Sequence, residues 1–397
     1  MTEKELISAL TEILSERVEK ATEREQEAFD QLTGPNGKSI VLFGTGTLGR
    51  KTLCVLRDEG IEPCAFCDNN PALRGKKIKG IPVFGPEKAV ALLGGQAVFI
   101  VTIWNDSIGH PLEMIKSQLD SLGKVNVVSF LPLYWKYHTR FLPYFCLDLP
   151  HKVLRFGKEI MEAAGYLEDG ESRENYLANV RFRLGLEMDF QSLPSSSDQH
   201  FNFDFILKNP EEVFVDAGAF TGDTLRGLLS RPGCHFKKIM ALEPDPANHA
   251  ELDRYVNSLH DELRQKIETY QVAALDKNAV IHFDASGTDQ AQISESGTYP
   301  VQARRLDELF GGLEPTFIKM DIEGAEPEAV EGCSGLMKKN PPVLAISVYH
   351  KFNHLWTILL AIKKLQPDYH YFIRAHAAGG WDTILYAVPT SRMARHA

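Results

Sequence analysis

Two stretches of the chain carry a short apolar run into a glycine-rich turn and then into helical spacing: SIVLFGTGTLGR at Ser39 to Arg50, and VFVDAGAFTG at Val213 to Gly222. An apolar run of this length, closed by glycine and followed by a helical period, predicts a buried strand feeding a helix of a parallel sheet. From Ser39 the pattern predicts the strand SIVLF, a helix through Leu48 to Glu59 and a strand around Cys64 to Cys67. A helix near Glu87 to Leu93 and the buried strand AVFIVTI complete a small βαβ unit that ends near Leu133. From Glu212 the alternation restarts. Strands are expected at Val213 to Val215, Lys238 to Leu242, Thr269 to Ala273, Phe317 to Met320, Leu344 to Val348, Tyr369 to Ile373 and Thr383 to Ala387. AVIHFDAS and the segment near Val301 suggest an additional hairpin. Seven strands with a short antiparallel return fit a doubly wound sheet.

Outside these two regions the periods are helical. Leu6, Leu10, Ile13, Leu14 and Val18 recur between charges and predict a surface helix over residues 3–30, free to pack on its own domain or on a second copy as a homodimer contact. A further helix is expected from Ser172 to Leu186, followed by the loop Leu193 to Gln199. The resulting plan is an N-terminal helix (1–33), a Rossmann-like nucleotide-binding domain (34–133), a helical connector (134–209) and a larger α/β domain (210–397).

Composition narrows the partners. The 397 residues are 44% hydrophobic and 24% charged with a formal charge of -10, which argues against nucleic acid or an anionic membrane as the main partner. The charged, amphipathic start reads as neither a signal peptide nor a membrane span, so the expected location is cytoplasmic. The cysteines are scattered, and Cys64 and Cys67 would point to opposite faces of a strand, so buried structural thiols are expected.

The second glycine turn carries chemistry. Asp216 ends its strand where a pyrophosphate would lie in a dinucleotide site, and a carboxylate there suits a cofactor with an ammonium, a sulfonium and no phosphate: S-adenosylmethionine. Asp216, Ala217, Gly218, Ala219, Phe220, Thr221 and Gly222 would form its cradle. Glu243 ends the next strand in LEPDP, with Pro244 and Asp245 after it, and an acid there can accept both ribose hydroxyls. Small Ala273 and Ala274 leave room for a flat adenine. FIKMDIEGAE then places Asp321 and Glu323 at the same carboxyl edge.

From about Glu212 to Pro389, through VFVDAGAFTGDT, ALEPDP, VAALD and FIKMDIEGAEPEAVEG, the chain resembles the FkbM family of S-adenosylmethionine-dependent methyltransferases. The resemblance implies a class I methyltransferase-type seven-stranded sheet and O-methylation, typically of a sugar or polyketide-like hydroxyl. One departure is Ser347, where many members carry an acid on the fifth strand. Methyl transfer needs an aligned oxygen and a group that removes its proton. His350 after the fifth strand is the first candidate, with Glu323 and Asp321 as alternatives and a turn-capping structural role as the rival reading of His350. Arg374, His376 and His354 would contact the acceptor, or Arg374, His376 and Asp382 would simply pair with one another. Asp321, Glu323, His350 and His376 could assemble a metal site, but no local spacing demands one, and none is expected.

The first turn differs. Gly44, Gly46 and Gly49 fit the phosphate-turn fingerprint, Asp68 ends the second strand, and Arg50 and Lys51 would welcome phosphate. Taken alone this suggests NAD, but the domain is short and no Tyr-x-x-x-Lys pair follows. Residues 38–105 also resemble the small Rossmann domain that precedes sugar acyltransferases, which implies a nucleotide sugar; a purely structural domain is the alternative. The expected function is thus O-methylation of a small-molecule or glycan acceptor such as a carbohydrate, nucleotide sugar, polyol or polyketide. The other two classes are an NAD-dependent sugar oxidoreductase and a binding protein without turnover.

Overall fold

The computed structural model describes residues 1–33, 39–104, 111–186, 205–231, 233–284, 292–293, 299–377 and 379–394. The expected loop Leu193 to Gln199 and the end of AVIHFDAS lie outside them.

The first sheet has strands β1 (Ser39–Phe43), β2 (Ala65–Cys67), β3 (Lys77–Ile78), β4 (Ile81–Phe84), β5 (Ala97–Val101) and β6 (Asn126–Ser129) in the order β3-β4-β2-β1-β5-β6. All neighbours are parallel except the β3–β4 pair. Val41, Leu42, Phe66, Phe99 and Ile100 are buried on both faces, which is why these strands read as unbroken apolar runs. The order reverses between β1 and β5, the kind of position at which open α/β sheets bind ligands beyond the carboxyl ends of their strands. The pattern had not predicted β4 and β6, because Pro82 interrupts one and the other is only half-buried. Cys67 is buried, and that burial pushes its thiol up to about 12.

The second sheet restarts with β7 (Val213–Ala217), β8 (Lys238–Leu242) and β9 (Ile267–Tyr270). A small sheet of β10 (Ala273–Ala274), β11 (Ala279–Asp284), β12 (Gln292–Ile293) and β13 (Tyr299–Arg304) follows. Then come β14 (Phe317–Met320), β15 (Val343–Ser347), β16 (Tyr369–Ala375) and β17 (Thr383–Pro389). The large sheet is seven-stranded, in the order β16-β17-β15-β14-β7-β8-β9, with β17 antiparallel to both neighbours. This is the expected doubly wound plan, and its order reverses between β7 and β14. The expected strand Thr269 to Ala273 divides instead: β9 stops at Tyr270, and Ala273–Ala274 pairs with β13 in the small sheet.

The N-terminal segment corrects the single-helix expectation. It forms two helices, Glu3–Ile13 and Val18–Thr33, the first opened by a capping box between Thr2 and Glu5. Leu6 and Leu10 are fully buried, and this helix packs on Gly157–Ala164 and Gly170–Arg183. Its apolar stripe is therefore consumed within the chain rather than offered to a second copy. The helix Gly170–Arg183 lies against β16. Buried Arg183 at its end donates to the carbonyls of Phe352, at 2.9 Å, and Val348, at 3.1 Å, so the connector fixes the loop after β15.

Candidate active site

The turn after β7 is shaped by its backbone. Gly218 adopts a left-handed φ of 83°, and a Cβ there would stand 1.8 Å from the carbonyl oxygen of Asp321, so only glycine lets β7 and β14 approach at the reversal point. Gly218 and Ala219 donate to the Leu242 carbonyl, which draws the turn over the end of β8. Glu243 is buried there. One of its oxygens accepts the Phe220 N–H and the other the Asp245 N–H, both at 2.9 Å, leaving each oxygen a second lone pair for a ribose hydroxyl. Burial pushes its carboxyl up to about 7 against those two backbone bonds.

Several sequence candidates take other roles. Asp216 is fully buried, and Lys319 Nζ lies 3.0 Å from its Oδ1 while donating to the Gly218 carbonyl. The negative charge assigned to a cofactor's cation is thus met inside the protein. Burial alone would lower the Lys319 ammonium, but Asp216, Asp321 and Asp223 hold it above its ordinary value. Asp245 caps the helix Pro246–Asn257 through the N–H groups of Ala247 and Asn248. Gly218, Phe220, Thr221 and Pro244 are the half-buried positions along the crevice; Ala217, Ala219, Gly222, Ala273 and Ala274 are buried beneath it.

On the far side of the reversal point, His350 is surrounded by acids. Its Nδ1 lies 2.7 Å from Glu326 Oε1, and its Nε2 lies 3.3 Å from Asp321 Oδ1 and 3.6 Å from Glu323 Oε1. Burial opposes the charge on this ring, but Glu326, Glu323 and Asp321 outweigh it and raise the imidazole to about 10. Glu326 is itself fully buried, and its Oε1 also accepts the N–H groups of Ile322 and Gly324. Sequence reasoning missed Glu326. Its signal was an acid in the first turn of a helix directly after the DIEG turn. Asp321, Glu326 and His350 each offer a ligand atom within 4.8 Å of the others, the donor set of a cation site, but Glu326 Oε1 is already saturated by three donors.

Over residues 216–376 the sequence matches the family described as the methyltransferase FkbM domain. That stretch is a methyltransferase FkbM domain. Across both sheets the fold is similar to that of methyltransferase FkbM from Methylobacillus flagellatus KT, with a TM-score of 0.79, 22% identity, and 97% of this chain and 99% of that chain covered. UDP-D-quinovosamine 4-dehydrogenase from Vibrio fischeri shares 21% identity over 23% of this chain and 76% of its own at a TM-score of 0.20. A putative rRNA methylase from Clostridium thermocellum shares 11% over 46% of this chain and 88% of its own at 0.30. No curated protein matches the chain in sequence.

Within the FkbM domain the expected acceptor contacts separate. Arg374 is buried, and its guanidinium meets Asp169 at 2.6 Å and the Ser172 hydroxyl at 2.9 Å, which ties β16 to the connector. It is withdrawn as an acceptor ligand. His354 is buried behind Glu326, its Nδ1 3.2 Å from Oε2, and burial is the main cause of its lowered pKa. His376 Nε2 meets the Tyr386 hydroxyl at 2.9 Å, and its N–H reaches the Asp382 carbonyl, so it joins the two strands of the return.

The N-terminal turn is also tied inward. Asp68 accepts from the Thr45 N–H at 2.9 Å, the Thr45 hydroxyl at 2.6 Å and the Asn70 N–H at 2.9 Å. Gly49 brings the helix onto the strand, since a Cβ there would lie 2.1 Å from the Gly44 carbonyl oxygen, while Gly46 is the exposed N-cap. Arg50 Nε donates to the Thr45 carbonyl while its side chain stays exposed, and Lys51 Nζ lies over the rings of Phe141 and Tyr144.

Proposed function

We propose that the protein moves the methyl group of S-adenosylmethionine to a hydroxyl of a carbohydrate, nucleotide sugar or similar polyol or polyketide acceptor. The observation that carries the reading is that the glycine cradle at Gly218, the ribose-type acid Glu243 and the cluster of Asp321, Glu323 and His350 share one carboxyl edge of a sheet whose order reverses between β7 and β14.

The residues present fit the cofactor. Half-buried Gly218, Phe220 and Thr221 would take its amino-acid portion, Glu243 its ribose hydroxyls, and the turn before Ala273 its adenine. Asp216 and Lys319 would act from beneath, holding the Gly218 carbonyl in place. The bound cofactor supplies an electrophilic methyl group on a sulfonium. This chain supplies alignment and a proton acceptor.

We assign that acceptor to Asp321. A ring whose pKa stands at about 10 is protonated at neutral pH and cannot take a second proton there, so His350 acts as a fixed imidazolium that positions Asp321 and Glu323. Asp321 stays half-buried at the edge, with the Tyr349 hydroxyl 3.5 Å from its Oδ1. The proton of the acceptor hydroxyl passes to this carboxylate as the oxygen gains its methyl group.

Incubating the protein with S-adenosylmethionine and a panel of glycosides, nucleotide sugars and cyclitols, with mass-spectrometric detection, tests the reading. A product heavier by one methylene unit, together with S-adenosylhomocysteine, is expected. Oxidation of a sugar with added NAD+ reduced to NADH, and no methylated product, would replace it with the oxidoreductase reading.

A further inference from the structure

We infer that the acceptor is held in an aromatic saddle between the two sheets, and that the first lobe supplies half of its wall; this rests on the methyl-transfer reading. Trp104 follows β5, at the reversal point of the first sheet. It reaches across the lobes. Its ring lies 4.8 Å from Trp381, in the loop between β16 and β17, and its Nε1 donates to the Gly379 carbonyl at 2.8 Å. Phe145 closes on Trp381 at 4.6 Å and Tyr144 on Trp104 at 5.5 Å. Trp381 in turn lies 5.8 Å from Tyr349, whose hydroxyl approaches Asp321. The wall thus runs unbroken from the carboxyl edge of the first sheet to the proposed proton acceptor on the second.

Two features separate this wall from ordinary interlobe packing. Trp104, Tyr144, Phe145 and Trp381 are all half-buried, and the Trp381 indole N–H has no hydrogen-bond partner among the described residues. Phe145 and Asp382 hold left-handed backbone, each with φ 48°, as do Phe220 and Glu323 at the same edge, with φ 47° and 54°. Non-glycine residues keep such conformations only where their surroundings over-determine them, and that condition clusters at ligand sites.

The chemistry of the wall selects its occupant. The tilted and edge-on rings present an apolar surface, while the carboxylates of Asp321 and Glu323 at its end accept hydrogen bonds from hydroxyls and repel anionic groups. That combination suits a neutral ring with an apolar C–H face and a hydroxylated edge, a pyranoside or cyclitol. Trp104, Tyr144 and Phe145 become specificity-determining residues, although they lie outside the FkbM domain at 216–376.

Tryptophan fluorescence of the full chain, saturated with S-adenosylhomocysteine, tests this by titration with methyl β-D-glucopyranoside, myo-inositol, glucose 1-phosphate and catechol. A saturable change with a neutral ring, weakened at least about tenfold in Trp104→Ala and Trp381→Ala but within about threefold in Trp104→Phe, is expected. S-adenosylhomocysteine affinity should stay within about twofold in every variant, which also certifies folding. Unchanged affinity for the neutral ring in both alanine variants, no binding of either neutral ring, or tighter binding of glucose 1-phosphate or catechol would overturn the proposal. Failure of S-adenosylhomocysteine itself to bind the wild type would instead remove the methyl-transfer reading.

Discussion

His350 Nδ1 and Glu326 Oε1 stand 2.7 Å apart with both side chains buried, and the same carboxylate gathers the Ile322 and Gly324 N–H groups. One acid therefore shapes the turn that carries Asp321 and Glu323 and also fixes the ring that faces them. Glu326→Gln keeps the shape and removes the charge. It is expected to cost about 3 to 5 kcal/mol, because it leaves a buried cation without its main partner. Denaturant unfolding measures the loss, and the His350 ring, followed by NMR, should titrate closer to an ordinary histidine.

The pH dependence of this stabilisation has a definite sign. The folded value for His350 lies above the ordinary 6.5, at about 10, so its contribution is full below about pH 6.5 and is lost as pH rises through about 10. Burial opposes the Glu326 charge, but His350 and His354 hold its carboxyl well below the usual range, so its contribution is present above about pH 4.5 and is lost as pH falls. The difference in Tm between wild type and His350→Asn is expected to shrink toward both pH extremes. A difference that grew above about pH 9 would contradict the assignment.

The same ring sets the rate profile. With Asp321 as proton acceptor, kcat/KM for the acceptor at saturating S-adenosylmethionine should stay level from about pH 8 to 9 and fall as the imidazolium is lost near about 10. With His350 as the base, the rate would instead climb about tenfold per pH unit toward the same point.

The pair beneath the cradle behaves as a unit. Lys319→Met leaves Asp216 buried without its cation and is expected to destabilise by about 3 to 5 kcal/mol, while Asp216→Leu combined with Lys319→Met recovers most of the loss. Thermal unfolding of the three proteins checks this. Cofactor affinity in the double variant should stay reduced, because the Gly218 carbonyl loses its anchor.

Gly218→Ala tests the approach of β7 to β14. The added methyl group would meet the Asp321 carbonyl oxygen, so the turn has to shift and cofactor affinity should fall at least about tenfold. Gly227→Ala, with open space at its Cβ, should leave affinity unchanged.

What could be read from the sequence was what repeats locally. The apolar runs at Phe317–Met320 and Lys238–Leu242 gave strands with the observed bounds, because full burial needs uninterrupted hydrophobic residues. Glycine turns and strand-end acids placed Gly218, Glu243 and Asp321 on one edge, because side chains at strand ends inherit their position from the sheet. What could not be read was pairing over distance. Lys319 looks like an ordinary strand residue until β7 and β14 align it beside Asp216. Arg374 looks like a substrate ligand until the connector brings Asp169 to it. The break at residues 14–17 was hidden because Val18 continues the apolar spacing across it.

The central claim is that the edge bearing Glu243 binds S-adenosylmethionine, and isothermal titration calorimetry of the full chain tests it directly. The account predicts one cofactor bound per chain, with affinity reduced at least about tenfold in Glu243→Ala, since a buried acid that accepts ribose hydroxyls is lost. No heat of binding in the wild type, or equal affinity in the variant, would contradict it.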